Sequence, residues 1–267
     1  MQTEARLEAQ KQWNATACGE LEGDKDTRDY FLRVEQDRYR QQGWAPGYFG
    51  FNRFAGKKVL EIGVGQGTDL MQFAKAGAQC YGVDITDNHL ALTRRNFELR
   101  GRQVDLRRAD ATQLPFPDGY FDCVYSFGVL HHIPEIEKVL AETHRVLKPG
   151  GEVMVALYHK WSAFHIFCKL LANGLRNRWL FSKGYDGLLA TIEKGADGIR
   201  VKPYVKLYDQ EEVNRLMAPF SIEDVSVHQL EAGRLGIILR RCMGGFVDRL
   251  EPFFGWYITC KGKKVAR

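Results

Sequence analysis

The sequence of this 267-residue chain predicts an α/β fold, in which helices alternate with the strands of a mostly parallel sheet. An apolar run over residues 59–62 ends in a glycine-rich turn, and a helical pattern follows it. A second strand then closes on Asp84, and the same alternation continues downstream. A strand, a glycine turn, a helix and a strand ending in a carboxylate together describe half of a nucleoside-cofactor site.

The spacing of the glycines in this turn indicates which cofactor the site binds. A dinucleotide fingerprint reads G-x-G-x-x-G, but this chain has Gly63, Gly65 and Gly67. Thr68 occupies the place of the third glycine in that fingerprint. Glycine lets the backbone approach a ligand closely and adopt positive φ without steric cost. Glu61, just before the turn, can orient the turn or the amino-acid end of a ligand. The pattern therefore favours S-adenosylmethionine over a pyrophosphate-containing cofactor.

Further elements follow in the order that such a sheet requires. Pro149 and Gly150 end the helix after the fourth strand, because proline cannot continue a helix and glycine supplies the turn. A short helix is expected near residues 209–218, and the last strand is expected to lie antiparallel at one edge of the sheet. Strands three to seven are predicted over residues 104–108, 123–127, 152–157, 221–230 and 254–261.

These motifs carry a resemblance to a known family. Over residues 57–158 the chain resembles the class I S-adenosylmethionine-dependent methyltransferases, in the small-molecule branch that includes the quinone-biosynthesis, or type 11, enzymes. The resemblance implies a Rossmann-like seven-stranded sheet with helices on both faces, S-adenosylmethionine as cofactor and S-adenosylhomocysteine as product. The cofactor-binding residues it implies are Glu61, Gly63, Gly65 and Gly67 in the loop, Asp84 with its neighbour Ile85 at the ribose, Asp110 and Ala111 at the adenine, and Phe127 beside the methionyl end.

The catalytic candidates lie on the rim where the methyl group is expected. Methyl transfer asks the protein mainly to align a nucleophile and to exclude water. A hydroxyl or protonated amine acceptor also needs a general base, for which histidine suits neutral pH. His131 and His132 follow strand four, while Tyr158 and His159 end strand five. For His131 the alternative is a structural role in the loop that holds the cofactor.

Four parts of the chain are distinguished by pattern. The parts are an N-terminal helical cap (1–56), a cofactor-binding core (57–158), a helical insertion after strand five (159–208) and the C-terminal part of the sheet (209–267). The resemblance implies that the cap forms a lid over the cofactor. Its aromatic stripe at helical spacing predicts either core packing or a contact with the sulfonium. The insertion is expected to form a wall of the acceptor pocket rather than a surface that contacts a membrane.

Two of these regions carry detailed helix predictions. The apolar sequence over residues 164–181 predicts one helix, and a further helical stretch is predicted over residues 231–252. Glycines that follow the first helix predict loops: Gly184, Gly187, Gly195 and Gly198.

Charge and the loop after strand four bear on the acceptor. A net charge of +5 is modest, and the loop reads Tyr125-Ser126-Phe127-Gly128, not the N/D-P-P-Y/F run that stacks a nucleic-acid base. We therefore expect a small-molecule acceptor, methylated on O, N or C, and no nucleic-acid partner. The alternatives are an RNA or protein methyltransferase and a non-catalytic S-adenosylmethionine-binding module. Aminopropyl transfer is more distant, because strand four lacks an acidic residue for a polyamine.

Composition also indicates the compartment. No apolar run reaches the ~18 residues of a membrane-spanning helix. The polar N-terminus lacks the apolar centre of a signal peptide. The six cysteines form no C-x-x-C pair, so the sequence predicts neither a metal site nor disulfides, and Cys80 and Cys123 are expected to be buried thiols. We expect a cytoplasmic protein without stable membrane insertion, and a homodimer remains open.

Overall fold

A seven-stranded sheet forms the centre of the protein, as seen in a computed structural model. The strands are β1 (Lys58–Ile62), β2 (Gln79–Asp84), β3 (Asp105–Arg108), β4 (Phe121–Phe127), β5 (Leu147–Tyr158), β6 (Phe220–His228) and β7 (Tyr257–Lys264). The structure describes residues 7, 10–11, 13–15, 17–192, 204–230, 241 and 244–265.

Helices connect these strands and precede them. The α-helices are α1 (Arg28–Gln41), α2 (Ala45–Phe49), α3 (Thr68–Lys75), α4 (Asp87–Leu99), α5 (Ile136–Val146), α6 (Trp179–Leu189), α7 (Gln210–Leu216) and α8 (Phe246–Phe254). Two 3₁₀ turns (Phe51–Phe54 and Leu130–His132) and a π-helix (Phe164–Arg176) complete the described elements. Of the helices in the described part of the chain, none combines the length and apolar character needed to cross a bilayer.

The strand order is β3-β2-β1-β4-β5-β7-β6. The first five strands in this order run parallel to one another. β7 pairs antiparallel with both β5 and β6. The prediction of an antiparallel last strand is confirmed, but its expected place at the edge is wrong. The edge strand is β6, and β7 lies inside the sheet. Burial explains this order, because Tyr257 to Cys260 on β7 are all buried while much of β6 is exposed or half-buried.

Apolar residues cover both faces of the sheet, as expected for helices on either side. Successive residues of a strand point to opposite faces. Val59 of β1 packs in one buried cluster with Phe73 and Tyr125, while Leu60 and Ile62 pack in the other. The carboxyl ends of β1, β2 and β4 therefore stand between two packed layers, where ligands of open α/β sheets bind.

The insertion after β5 differs from its prediction. The sequence predicted one helix over residues 164–181, but the structure has two, the π-helix and α6. They are separated at Arg178, which has a left-handed backbone with φ of 59°. Gly184 and Gly187 do not form loops. They lie within α6, which kinks at Gly184 because that residue has φ 69° and ψ 179°. Gly195, Gly198 and residues 231–240 of the second predicted helical stretch lie outside the described residues.

Two smaller expectations also have outcomes. β5 begins at Leu147, earlier than predicted, and the pairing of β4 with β5 shifts register between Phe121 and Cys123. Pro149 and Gly150, which sequence reasoning treated as a turn, fall within this shift and have no partner on β4. Cys80 and Cys123 are buried thiols, as predicted.

Candidate functional site

A cavity of about 400 Å³ opens at the carboxyl ends of β1, β2 and β4. Its size is typical of a site for a small molecule or cofactor. The N-terminal cap contributes to its wall through Trp13, Cys18 and α1. Of the residues singled out by sequence, the cavity is lined by Glu61, Gly63, Gly65, Asp84, Ile85, Asp110, Ala111, Phe127, His132 and Tyr158.

The glycine turn lies directly against this cavity. Gly63 and Gly65 have φ of 78° and 53°, which side chains rarely adopt. A β-carbon on Gly63 would also stand 2.3 Å from Cγ2 of Val129, whereas one on Gly65 would meet nothing within 4 Å. Gly67 does not line the cavity. It is the N-cap residue of α3, and a β-carbon there would stand 2.7 Å from Cγ2 of Thr93.

Replacing Gly63 with alanine is expected to lower both stability and cofactor affinity. The clash with Val129 must be relieved by moving the turn, at a cost of about 1–3 kcal/mol beyond the cost of positive φ. Gly119→Ala is the matched control, because Gly119 has φ of 61° and open space around it. Thermal melting and calorimetric titration should show a larger loss for Gly63→Ala, and equal losses would refute the steric explanation.

Glu61 presents a buried carboxylate without a hydrogen-bond partner for Oε2 among the described residues. Burial raises the pKa of Glu61 well above its usual value, and the nearby charge of Asp69 raises it further. An orphaned buried oxygen is costly unless a ligand satisfies it. Glu61 is therefore suited to accept a hydrogen bond from a cationic group in the cavity.

Asp69, beside Glu61, is held by three side chains. The Arg38 guanidinium donates to it at 2.6 Å, Tyr39 donates at 2.7 Å and Tyr125 donates at 2.8 Å. Burial alone would raise the pKa of Asp69, but the charge and hydrogen bonds of Arg38 lower it. Asp69 is thus an ion-paired carboxylate that joins α1 of the cap to α3 of the cofactor loop.

Arg38 is a cavity residue to which sequence reasoning gave no role in the site. It was noted only as part of the aromatic stripe of the cap, yet it lines the cavity with its guanidinium 4.0 Å from the centre of the Phe127 ring. Among the described residues of the cavity wall, it is the one lysine or arginine. Its place at helical spacing with the apolar and aromatic residues of the cap was the available signal.

Asp84 ends β2 facing the cavity, and neighbouring groups orient it. Oδ1 accepts hydrogen bonds from the backbone N–H and hydroxyl of Thr86, both at 2.9 Å. Oδ2 is 3.1 Å from Nδ1 of His89. Thr86 also caps α4 by accepting from the N–H of His89. The carboxylate is therefore preorganised at a strand end, where a ribose can contact it.

The adenine candidates lie on the loop after β3. Oδ1 of Asp110 accepts from the backbone N–H of Thr112 at 2.8 Å and from its hydroxyl at 2.7 Å. Ala111 is buried at the same wall, and Ile85, the residue after β2, also lines the cavity. This side of the cavity offers carboxylate and backbone groups beside apolar surface, as a purine requires.

His132 and Tyr158 are the catalytic candidates that reach the cavity. Nδ1 of His132 is 2.9 Å from the carbonyl oxygen of Tyr204, which can only accept, so this nitrogen carries a proton. In the neutral imidazole the basic lone pair then resides on Nε2. The Trp13 ring of the cap lies 5.6 Å from that of His132.

His131 and His159 lie behind the wall. His131 is fully buried and stacks on Tyr158 at 3.7 Å, and neither of its ring nitrogens has a hydrogen-bond partner among the described residues. Burial lowers its pKa well below the usual value. His159 is also buried and donates from Nδ1 to the carbonyl of Gly255 at 3.0 Å. These placements do not support contact of either residue with an acceptor.

The insertion also differs from its expected role. Sequence analysis favoured it as a wall of the acceptor pocket, but none of its described residues after Tyr158 lines the cavity. Instead the insertion turns several large apolar side chains to solvent. The described wall of the cavity comes from the core, the cap and Tyr257 of β7.

Residues that could hold S-adenosylmethionine are therefore assembled in one place. The cavity offers Glu61 for an ammonium group, Arg38 for a carboxylate and Asp84 for ribose hydroxyls. The aromatic rings of Phe127 and Tyr257 suit a sulfonium. The residues fit the zwitterionic, cationic and ribosyl parts of this molecule.

Comparison with known sequences supports this interpretation. Residues 60–155 match a family model described as a methyltransferase domain. A ubiquinone/menaquinone biosynthesis C-methyltransferase from Cupriavidus pinatubonensis is 33% identical over 195 residues, covering 70% of this chain and 75% of that protein. A demethylmenaquinone methyltransferase from Thermus thermophilus is 43% identical over 105 residues, covering 38% of this chain and 47% of that protein. The chain thus spans about half the length of the second relative.

Solved structures share the fold. A methyltransferase from Methanosarcina mazei superposes with a TM-score of 0.56 at 19% identity, covering 79% of this chain and 93% of that one. One from Aquifex aeolicus gives 0.55 at 16% identity, covering 91% and 100%. Identities this low show the fold alone, but the identity with the C-methyltransferase extends well beyond the cofactor core. This chain belongs to the class I S-adenosylmethionine-dependent methyltransferases of the type 11 group, and it is an enzyme of that kind.

Proposed function

We propose that this enzyme methylates a carbon atom of a small hydroxylated aromatic acceptor of the quinol type. The proposal rests on one observation, that a single cavity is lined by the carboxylates of Glu61, Asp84 and Asp110 together with His132 and aromatic residues. The named C-methyltransferase and demethylmenaquinone methyltransferase relatives support this acceptor class. RNA and protein acceptors are the competing candidates.

Cofactor binding is proposed to use both charged ends of the amino-acid moiety. Arg38 would pair with the carboxylate, because two of its five donors are bound to Asp69 and the guanidinium lines the cavity. Oε2 of Glu61 would accept from the ammonium. Asp84 would accept hydrogen bonds from the ribose hydroxyls. Ile85, Asp110 and Ala111 would contact the adenine. The backbone of the Gly63–Gly65 turn would approach the ligand closely.

Catalysis would then depend on position and on proton transfer. The cofactor supplies an activated methyl group. An acceptor hydroxyl would donate its proton to Nε2 of His132, which raises the electron density of the ring carbon that bonds to the methyl. That carbon would take the methyl as the bond from the methyl to sulfur breaks and leaves a neutral thioether. The carbon would then lose its own hydrogen to solvent as a proton, and His132 would return its proton to the acceptor oxygen, so that the ring is aromatic again. Tyr158 and Phe127 would orient the acceptor ring by stacking. Burial between cap and core keeps water from the reacting atoms.

His132→Ala is expected to lower turnover at least tenfold, since general-base catalysis typically contributes a factor of about 10²–10⁴. Affinity for S-adenosylmethionine should stay unchanged, because the imidazole is assigned to the acceptor. His144→Ala is the control, as His144 makes an edge-to-face contact with Phe220 and does not line the cavity. Steady-state kinetics together with calorimetry make the measurement. Unchanged turnover would remove His132 from the mechanism.

Acceptor class is tested by transfer of a labelled methyl group from S-adenosylmethionine. A demethylated quinol, an RNA mixture and a protein mixture should be offered in parallel. We expect label on a ring carbon of the quinol, located by mass spectrometry of fragments. Label in RNA or protein instead would overturn the proposed acceptor while leaving the family assignment intact.

A further inference from the structure

The insertion after β5 carries an unusual exposed apolar surface. Phe167, Leu171 and Leu175 are each about half exposed and recur every four residues along the π-helix. Phe181, just after the turn into α6, is 76% exposed. We call these four side chains and the turn between them the insertion tip. Large apolar residues grouped in this way commonly mark an interaction surface.

Basic residues surround the apolar ones at the same tip. Arg176, Arg178 and Lys183 are exposed, and Nζ of Lys183 lies 4.3 Å from the centre of the Trp179 ring. Over residues 159–192 there are five basic residues and one acidic residue, Asp186. The tip is therefore apolar and cationic together.

The opposite face of the insertion is already packed, so the tip is its outer surface. Leu188 and Leu189 are buried, and the Leu188 side chain approaches Gly174 on the neighbouring helix. Nζ of Lys169 donates to the carbonyl of Thr191 at 2.7 Å, which joins the two helices internally. These contacts hold the pair together and leave the tip facing outward.

We propose that the insertion tip docks this enzyme onto the surface of an anionic lipid bilayer. Helices that lie at a membrane interface combine apolar side chains, which enter the acyl boundary, with lysine and arginine, which meet anionic headgroups. A second copy of the chain is a poorer occupant. Two-fold packing of the tip on itself would bring Arg176, Arg178 and Lys183 against their own equivalents.

The base of the insertion, at the other end of the π-helix from the turn, contacts the cavity wall through aromatic rings. Phe164, at the start of the π-helix, contacts Trp256 at 4.9 Å between ring centres. Trp256 in turn contacts Tyr158 at 4.3 Å, and Tyr158 lines the cavity. Docking of the tip would therefore connect the bilayer to the cavity wall through the π-helix. The docking proposal does not depend on which acceptor is methylated, because its test measures binding to lipid.

Sedimentation with vesicles tests the proposal on the full chain. Vesicles of phosphatidylcholine with phosphatidylglycerol should retain the protein, and neutral phosphatidylcholine vesicles or added salt should reduce retention. Phe181→Glu should lower partitioning at least tenfold through lost apolar burial. Arg176→Gln and Arg178→Gln should each lower it about fivefold. Ile222→Glu, an exposed apolar residue on β6, is the matched control and should bind as wild type.

The outcomes separate the occupants. Wild-type binding that Phe181→Glu removes and Ile222→Glu retains, with unchanged melting temperature, supports docking. The docking proposal is overturned if the wild-type protein does not bind anionic vesicles. It is also overturned if the Phe181 and arginine variants bind as strongly as the wild type. A wild-type dimer that Phe181→Glu dissociates, seen by light scattering, would assign the tip to a second copy instead. If Phe181→Glu melts early, the doubly substituted Arg176→Gln, Arg178→Gln variant decides the result.

Discussion

Asp84→Ala is expected to weaken S-adenosylmethionine binding at least 100-fold. The carboxylate ends β2 at the cavity wall and is held in place by Thr86 and His89. A hydrogen bond to a charged group contributes about 1.5–3 kcal/mol, and two ribose hydroxyls are expected to donate to it. Loss of both exceeds the ~2.7 kcal/mol that corresponds to a hundredfold change in affinity.

Calorimetric titration with S-adenosylmethionine and S-adenosylhomocysteine provides the measurement. Asp87→Ala is the matched control, because Asp87 is three residues away, exposed and paired with Arg108 outside the cavity. Asp84→Asn keeps the shape of the side chain and separates loss of charge from loss of packing. Wild-type affinity in Asp84→Ala would contradict the ribose assignment, and no binding to the wild type would contradict the assigned cofactor site.

Asp69→Ala is expected to produce the largest loss of stability, about 3–5 kcal/mol. Removing this carboxylate leaves the guanidinium of Arg38 buried without its counter-charge. The hydroxyls of Tyr39 and Tyr125 also lose their acceptor. For a chain of this size the change corresponds to a fall in melting temperature of roughly 10 °C. Because the network joins α1 to α3, the cap should also release the cofactor more readily.

Chemical denaturation and thermal melting test this expectation. Asp118→Ala is the control, since Asp118 is exposed and its ion pair with Arg145 should contribute no more than about 1 kcal/mol. Replacing both partners, as Arg38→Gln with Asp69→Asn, should recover part of the stability because no uncompensated charge remains. Equal effects of Asp69→Ala and Asp118→Ala would show that the buried network is not a major stabilising feature.

Particular residues show how far prediction from sequence reaches. Asp84 and the turn from Gly63 to Gly67 were located correctly in the fold, because each belongs to a single strand, turn and helix. Arg38 received no role in the site from the sequence. Its partner Asp69 lies 31 residues further along the chain on another helix, and no local pattern links the two residues. His132 and His131 are adjacent in sequence, yet only His132 lines the cavity.

By itself, the sequence determined the alternation of strands and helices, the family and the position of the glycine turn. Those features are local, because apolar periodicity, glycine spacing and a strand-ending carboxylate act within about 30 residues. Tertiary structure alone decided that β7 lies between β5 and β6, that Arg38 enters the cavity and that the insertion faces outward. These features depend on which distant surfaces are buried together. Burial is a property of the whole packed chain and leaves no fixed spacing in the sequence.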